Sequence, residues 1–212
     1  MIISNDLKFL FIGNPKTGTS TARSVLRPHG YYICDAFSTA PSHHLTVDEC
    51  FNLLSNQKPQ FNPAQLEKIY VFWRDPIKRF ISAYNHAKST TTGKGLELLV
   101  EYRPNVLINN NTDIDPEKLL LDRINAPYKK YEDPIAQILT KQSKWIIPSN
   151  ITQVLNFDDY ENNLKIVANS FGIDVSTLQI PVLNESSETG LEITGSLETL
   201  VRDYYAEDFT LI

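Results

Sequence analysis

The chain has 212 residues, 20 Lys plus Arg against 25 Asp plus Glu, a formal charge of −5 and 42% hydrophobic residues. That length and apolar content suit a single domain, residues 1–212, which buries its own core without disulfides or a structural metal. Aromatic residues at 10% with a modest net charge exclude a disordered chain, and apolar runs of only four or five residues exclude a membrane-spanning helix.

The opening M-I-I-S-N-D-L-K has no basic segment feeding a long apolar one, so no secretory signal is expected. Cys34 and Cys50 are too few for a disulfide framework or a metal cluster, and reduced thiols in a cytoplasmic protein are expected. Lys8 to Gly13 (K-F-L-F-I-G) reads as a short buried parallel strand, and Thr19 to Leu26 as a helix stopping before Pro28 and Gly30. Tyr31 to Cys34 is a further strand candidate. Thr46-Val47-Asp48-Glu49 has capping-box spacing and predicts a helix to about Ser55. Lys68 to Trp73 (K-I-Y-V-F-W) is the second strong buried strand. From Pro76, Ile77, Phe80, Ile81 and Tyr84 recur at helical spacing, with proline in the first turn.

Ser89 to Gly95 and Asn109-Asn110-Asn111 read as loops, and Asp115-Pro116 and Asp133-Pro134 as helix caps followed by proline. Ile151 to Phe157 predicts a strand, Tyr160 to Phe171 a helix ended by Gly172, and Ser196 the cap of a last helix to about Tyr205. Strands alternating with helices give an α/β fold with a central, mostly parallel sheet flanked by helices.

Charge is uneven along this order. Residues 1–90 hold ten basic and six acidic side chains, a net of +4, whereas residues 91–212 hold ten and nineteen, a net of −9. A basic first half in an acidic chain points to a local anion site. Without a basic run or basic and aromatic interleaving, a nucleic-acid groove is not expected.

The anion site has a candidate in Gly13-Asn14-Pro15-Lys16-Thr17-Gly18-Thr19-Ser20, between a buried strand and a helix. There, free backbone N–H groups and the helix dipole favour a phosphate. Gly18 lets the backbone approach a ligand, and the Thr19 and Ser20 hydroxyls add donors. The spacing G-x-x-x-x-G matches a P-loop, yet Thr-Ser follows in place of Lys-Ser/Thr, and the lysine lies inside the loop at Lys16. No acidic strand end suits the Mg²⁺ of an NTPase. The loop fits another anion with lysine beside the leaving group; a plain Gly-containing turn is the alternative.

Arg74-Asp75-Pro76-Ile77-Lys78-Arg79-Phe80-Ile81-Ser82-Ala83-Tyr84 follows the second strong strand. Arg74 stands at the strand's carboxyl end, where ligands of parallel sheets bind, and Ser82 about two helical turns into the next helix. Guanidinium and hydroxyl could form a phosphate clamp. The alternative is a surface Arg74–Asp75 pair with Ser82 facing solvent.

Together, P-K-T-G-T-S at 15–20 and R-D-P-I-K-R-F-I-S-A-Y at 74–84 resemble the 5′-phosphosulfate loop and 3′-phosphate motif of sulfotransferases that use 3′-phosphoadenosine 5′-phosphosulfate (PAPS). The resemblance is to the branch containing carbohydrate sulfotransferases and their soluble microbial or viral relatives. H-L-T at 44–46, K-Q-S-K-W at 141–145, V-L-N-F-D-D-Y at 154–160, L-N-E-S at 183–186 and the closing Y-Y-A-E-D-F extend it more weakly. Relatives often have P-Q-S where this chain has K-Q-S, so Gln142 receives no role. The resemblance implies a P-loop-like three-layer fold. It implies that Lys16, Thr17, Gly18, Thr19 and Ser20 hold the 5′-phosphosulfate and that Arg74 and Ser82 hold the 3′-phosphate. It further implies PAPS as cosubstrate, adenosine 3′,5′-bisphosphate as product, no metal requirement, and a hydroxyl-bearing acceptor, most simply a carbohydrate. Adenine contacts are not legible: Trp73 and the segment near Asn184 could contribute, but core and surface positions explain them more simply.

In-line sulfuryl transfer needs positive charge at the leaving phosphate, which Lys16 would supply, and a base for the acceptor hydroxyl. His29 follows a helix end and His86 sits late on the Ser82 helix, both at solvated positions. His43 and His44 lie in a loop before the capping box, and the alignment of H-L-T selects His44 as base with His43 second. Asp48 and Glu49 are explained by capping. Lys129, Lys130, Lys141 and Lys144 could form a basic rim for an acceptor, though solvated surface lysines explain them as well. Two further functions compete: a P-loop kinase or NTPase, and a non-catalytic nucleotide-binding module.

Overall fold

The computed structural model describes residues 1–33, 44–90, 114–125, 134–181 and 190–212. Cys34, Asp133, the 109–111 tract, most of the Ser89–Gly95 loop and the L-N-E-S segment lie outside these residues. So do His43, Lys129, Lys130 and Asn184. The described chain is α/β, with a five-stranded mixed sheet and seven helices. It gathers into two compact units. The first comprises Met1–Arg74, Gln142–Asn184 and Leu211–Ile212; the second comprises Asp75–Lys141 and Glu185–Thr210.

The first unit holds the sheet. Its strands are β1 (Ile2–Ser4), β2 (Phe9–Ile12), β3 (Gly30–Tyr32), β4 (Lys68–Trp73) and β5 (Thr152–Asn156), in the order β3-β1-β2-β4-β5. β2, β4 and β5 are parallel neighbours, with Ile12 opposite Val71 and Trp73 opposite Asn156. β1 runs against both β2 and β3, which makes the sheet mixed at that side. β1 is an addition to the sequence reading. It is three residues long, and its turn is closed by the Ser4 hydroxyl, which accepts from the Lys8 and Phe9 amides at 3.2 and 3.0 Å. The Tyr31–Cys34 strand is shifted to Gly30–Tyr32.

Strand residues alternate between two apolar layers, as a sheet covered on both faces requires. Leu10, Ile12, Ile69, Val71 and Trp73 pack with Val47, Cys50 and Leu54 of α2 (Val47–Gln57) and with Trp145. Phe11, Tyr70, Phe72 and Leu155 pack with α1 (Thr19–Leu26) and with Leu164, Val167 and Ala168 of a helix over Tyr160–Ser170. α2 begins at the expected capping box: the Thr46 amide donates to Glu49 Oε2 at 2.7 Å, and the Glu49 amide to Thr46 Oγ1 at 3.4 Å. Thr46→Ala is expected to cost about 1 kcal/mol. A thermal scan checks this, and an unmoved melting temperature would remove the cap from the account of α2.

The second unit is helical: α3 (Pro76–Thr90), α4 (Pro116–Asn125), α5 (Pro134–Leu139) and, after the Tyr160–Ser170 helix (α6), α7 (Gly195–Tyr204). Phe80, Ala83, Tyr84 and Ala87 form the apolar stripe of α3 against Leu119, Leu120, Leu197 and Val201. Arg79 is fully buried beside that stripe, and its Nη2 donates to the carbonyls of Thr140 and Ile138 at 2.7 and 3.2 Å. Burial pulls its pKa down, opposed by Tyr205 and Asp208, so this cation serves the core of the unit. α4 carries the expected Asp115 cap, whose Oδ1 accepts from the Glu117 amide at 2.9 Å. α7 differs from expectation. Thr194 is its capping residue, and the Ser196 hydroxyl instead donates to Glu117 Oε2 at 2.8 Å.

Candidate functional site

The loop after β2 folds around Asn14. This side chain is fully buried, and its Nδ2 donates to the Phe72 carbonyl and to Gln142 Oε1, each at 2.9 Å. The Asn14 carbonyl in turn accepts from the hydroxyls of Thr17 and Thr19, each at 2.8 Å. Sequence placed the Thr19 hydroxyl as a donor toward a ligand. Its proton is directed inward, because the turned-in carbonyl requires donors. The half-buried Ser20 hydroxyl is not part of this inward-turned set.

Lys16 and Gly18 both adopt left-handed backbone, with φ of 66° and 70°. In general, left-handed residues alternating with right-handed ones curl successive amides toward one side, as anion nests do. Lysine at such a φ is strained, whereas glycine is not. Gly18 is also spatially required, since a Cβ there would stand 2.6 Å from the Tyr160 ring. The Tyr160 hydroxyl donates to the Gly18 carbonyl at 2.7 Å, and burial pushes the phenol's pKa up, so it stays a neutral donor.

His44 joins the loop from its other end. Its Nδ1 lies 2.6 Å from the Gly13 carbonyl oxygen. A carbonyl only accepts, so Nδ1 carries the proton and, in the neutral ring, Nε2 carries the lone pair. Its own carbonyl accepts from Trp145 Nε1 at 3.1 Å, which fixes the backbone beneath the ring. Glu49 is engaged in the capping box, as expected.

Arg74 stands at the carboxyl end of β4 and reaches the same loop: Nη1 donates to the Lys16 carbonyl at 3.1 Å. Its guanidinium carbon lies 4.6 Å from the centre of the Phe157 ring, a cation–π contact. The Phe157 and Tyr160 ring centres lie 5.1 Å apart and those of Tyr160 and Phe72 4.8 Å apart, both pairs tilted. Ile151–Phe157 was expected as a strand; β5 stops at Asn156 and Phe157 begins a short 3₁₀ turn. Sequence gave no role to Phe157, and the aromatic in V-L-N-F-D-D-Y was the available signal.

The structure thus brings together the 13–20 loop, His44 and Arg74 within one unit. Ser82 lies on α3 in the other unit and is 6% exposed, so it does not face solvent. Asp75 caps the same helix, its Oδ1 accepting from the Lys78 amide at 2.9 Å. His29 and His86 are exposed, as expected. Gln142, unassigned from sequence, is fully buried and hydrogen-bonded to both Asn14 and Arg74. Among the described residues, no group of three or more His, Cys, Asp or Glu could hold a metal, and no helix is long and apolar enough to cross a membrane. No family model matches the chain, and neither a curated protein nor a solved structure matches it.

Proposed function

We propose that the chain is a PAPS-dependent sulfotransferase of P-loop-like fold, acting in the cytoplasm on a hydroxyl of a carbohydrate or other small acceptor. The observation that carries the reading is the hydrogen bond from Arg74 Nη1 to the Lys16 carbonyl, 3.1 Å long. It ties the arginine at the end of one strand to the lysine-bearing loop that follows the neighbouring strand. The donor set also fits the cosubstrate: a nest of amides, one ammonium and one guanidinium, with a glycine where the backbone must come close.

PAPS, when bound, supplies a sulfuryl group on a phosphate leaving group. His44 Nε2 takes the acceptor hydroxyl's proton as that oxygen bonds to sulfur and the sulfur–oxygen bond to the phosphate breaks. Lys16 and the loop amides stabilise the charge growing on the departing phosphate oxygen. Arg74 holds the 3′-phosphate. The Gly13 carbonyl keeps the His44 ring in its working tautomer. The internal lysine and the use of the Asp75 carboxylate as a helix cap weigh against a Mg²⁺-dependent NTPase.

Calorimetry with adenosine 3′,5′-bisphosphate, ADP and AMP tests the proposal. The bisphosphate is expected to bind about 10- to 100-fold more tightly than AMP, and Arg74→Ala to erase the difference. Equal affinities for all three in the wild type would reject it. An acceptor screen with labelled PAPS, read by mass spectrometry for the gain of one SO₃ unit, then identifies the acceptor.

A further inference from the structure

Gln142 opens a short 3₁₀ turn and is 0% exposed. Its side-chain amide makes three bonds in opposite senses. Oε1 accepts from Asn14 Nδ2 at 2.9 Å and from the Arg74 amide at 3.0 Å, while Nε2 donates to the Arg74 carbonyl at 2.8 Å. Asn14 gathers the loop through its carbonyl, and the Arg74 guanidinium returns to the Lys16 carbonyl at 3.1 Å. The circuit is closed: loop, Asn14, Gln142, Arg74 backbone, Arg74 guanidinium, loop. A neutral carboxamide of this length offers an acceptor to two N–H groups and a donor to a carbonyl at once.

We propose that Gln142 is a positioning residue that fixes the span between the loop and Arg74, so that the site selects an adenosine with phosphates on both the 3′ and 5′ positions. This rests on the sulfotransferase reading above. The 13–20 loop keeps the bonds of Thr17 and Thr19 to the Asn14 carbonyl without Gln142, so recognition of a single 5′-phosphate survives its loss. What disappears is the advantage of carrying both. A role confined to stability would weaken one-ended and two-ended ligands alike.

The test compares adenosine 3′,5′-bisphosphate with 5′-AMP by calorimetry on the wild type, Gln142→Leu and Gln142→Glu. Gln142→Leu is expected to reduce the ratio of the two affinities about tenfold or more while leaving 5′-AMP binding nearly unchanged. Gln142→Glu keeps both acceptors but sets a carboxylate oxygen against the Arg74 carbonyl. Its ratio, normalised to the wild type at each pH, should therefore be low at neutral pH and recover as acidification lets the acid O–H donate. A ratio that stays at the wild-type value in either variant, or 5′-AMP affinity falling in parallel with that of the bisphosphate, overturns the proposal.

Should both variants fail to fold, the wild type answers by NMR. Titration with 3′-AMP alone should shift the Asn14 side-chain amide resonances through Gln142, and no shift there overturns the proposal. The two levels separate cleanly. A wild type that does not prefer the bisphosphate sinks the sulfotransferase reading, whereas a preference untouched by Gln142 replacement sinks only the positioning role.

Discussion

Replacing His44 with alanine is expected to lower kcat for sulfuryl transfer by about 10²–10⁴-fold, the range for loss of a positioned general base. The expectation rests on the bond between Nδ1 and the Gly13 carbonyl at 2.6 Å, which forces the proton onto Nδ1 and leaves Nε2 as the acceptor. His44→Asn is the sharper variant. Its amide can still donate to the Gly13 carbonyl and hold the loop, but it has no lone pair of useful basicity. His44→Asn should bind adenosine 3′,5′-bisphosphate like the wild type, and both variants should turn over slowly. Steady-state kinetics and calorimetry check this. Wild-type turnover in His44→Asn would move the base elsewhere, with His43 as next candidate.

Lys16→Ala is expected to lower kcat by about 10²–10³-fold, as when one donor to a developing oxyanion is removed. Lys16→Gly should be equally slow yet more stable than Lys16→Ala. The reason is the φ of 66°, a left-handed backbone that costs an L-residue roughly 1–2 kcal/mol and glycine almost nothing. The pair of variants separates two contributions of one position. Kinetics read the ammonium, and the melting temperature reads the backbone. If Lys16→Ala turned over like the wild type, the ammonium would have no part in the chemistry. If Lys16→Gly melted no higher than Lys16→Ala, the strain would not reside there.

Much of the frame was legible because its signals are local. The apolar runs around Phe9–Ile12 and Lys68–Trp73 are strands, and the Thr46–Glu49 spacing does open a helix. β1 escaped because a three-residue strand has no periodicity of its own; it exists through pairing with β2 and β3. Ser196 was a plausible cap by type, but a cap depends on which residue leaves helical backbone first, and that is Thr194. The 13–20 loop was found from its glycines and lysine. The inward turn of the Thr17 and Thr19 hydroxyls was not, because it depends on where the Asn14 carbonyl points. Gln142 and Arg79 were invisible for the same reason. Each is polar and fully buried, and its partners lie about sixty or more positions away in the chain, as with Arg79 and Thr140 or Gln142 and Arg74.

The cluster of Phe72, Tyr160 and Phe157, with the Arg74 guanidinium over the Phe157 ring, also bears on ionic strength. Hydrocarbon rings on one flank keep counterions off that side of the cation, so its attraction for an anion is screened less than that of a lysine standing in water. Added salt should strip an anion from the exposed Lys144 well before it would loosen one bound at Arg74.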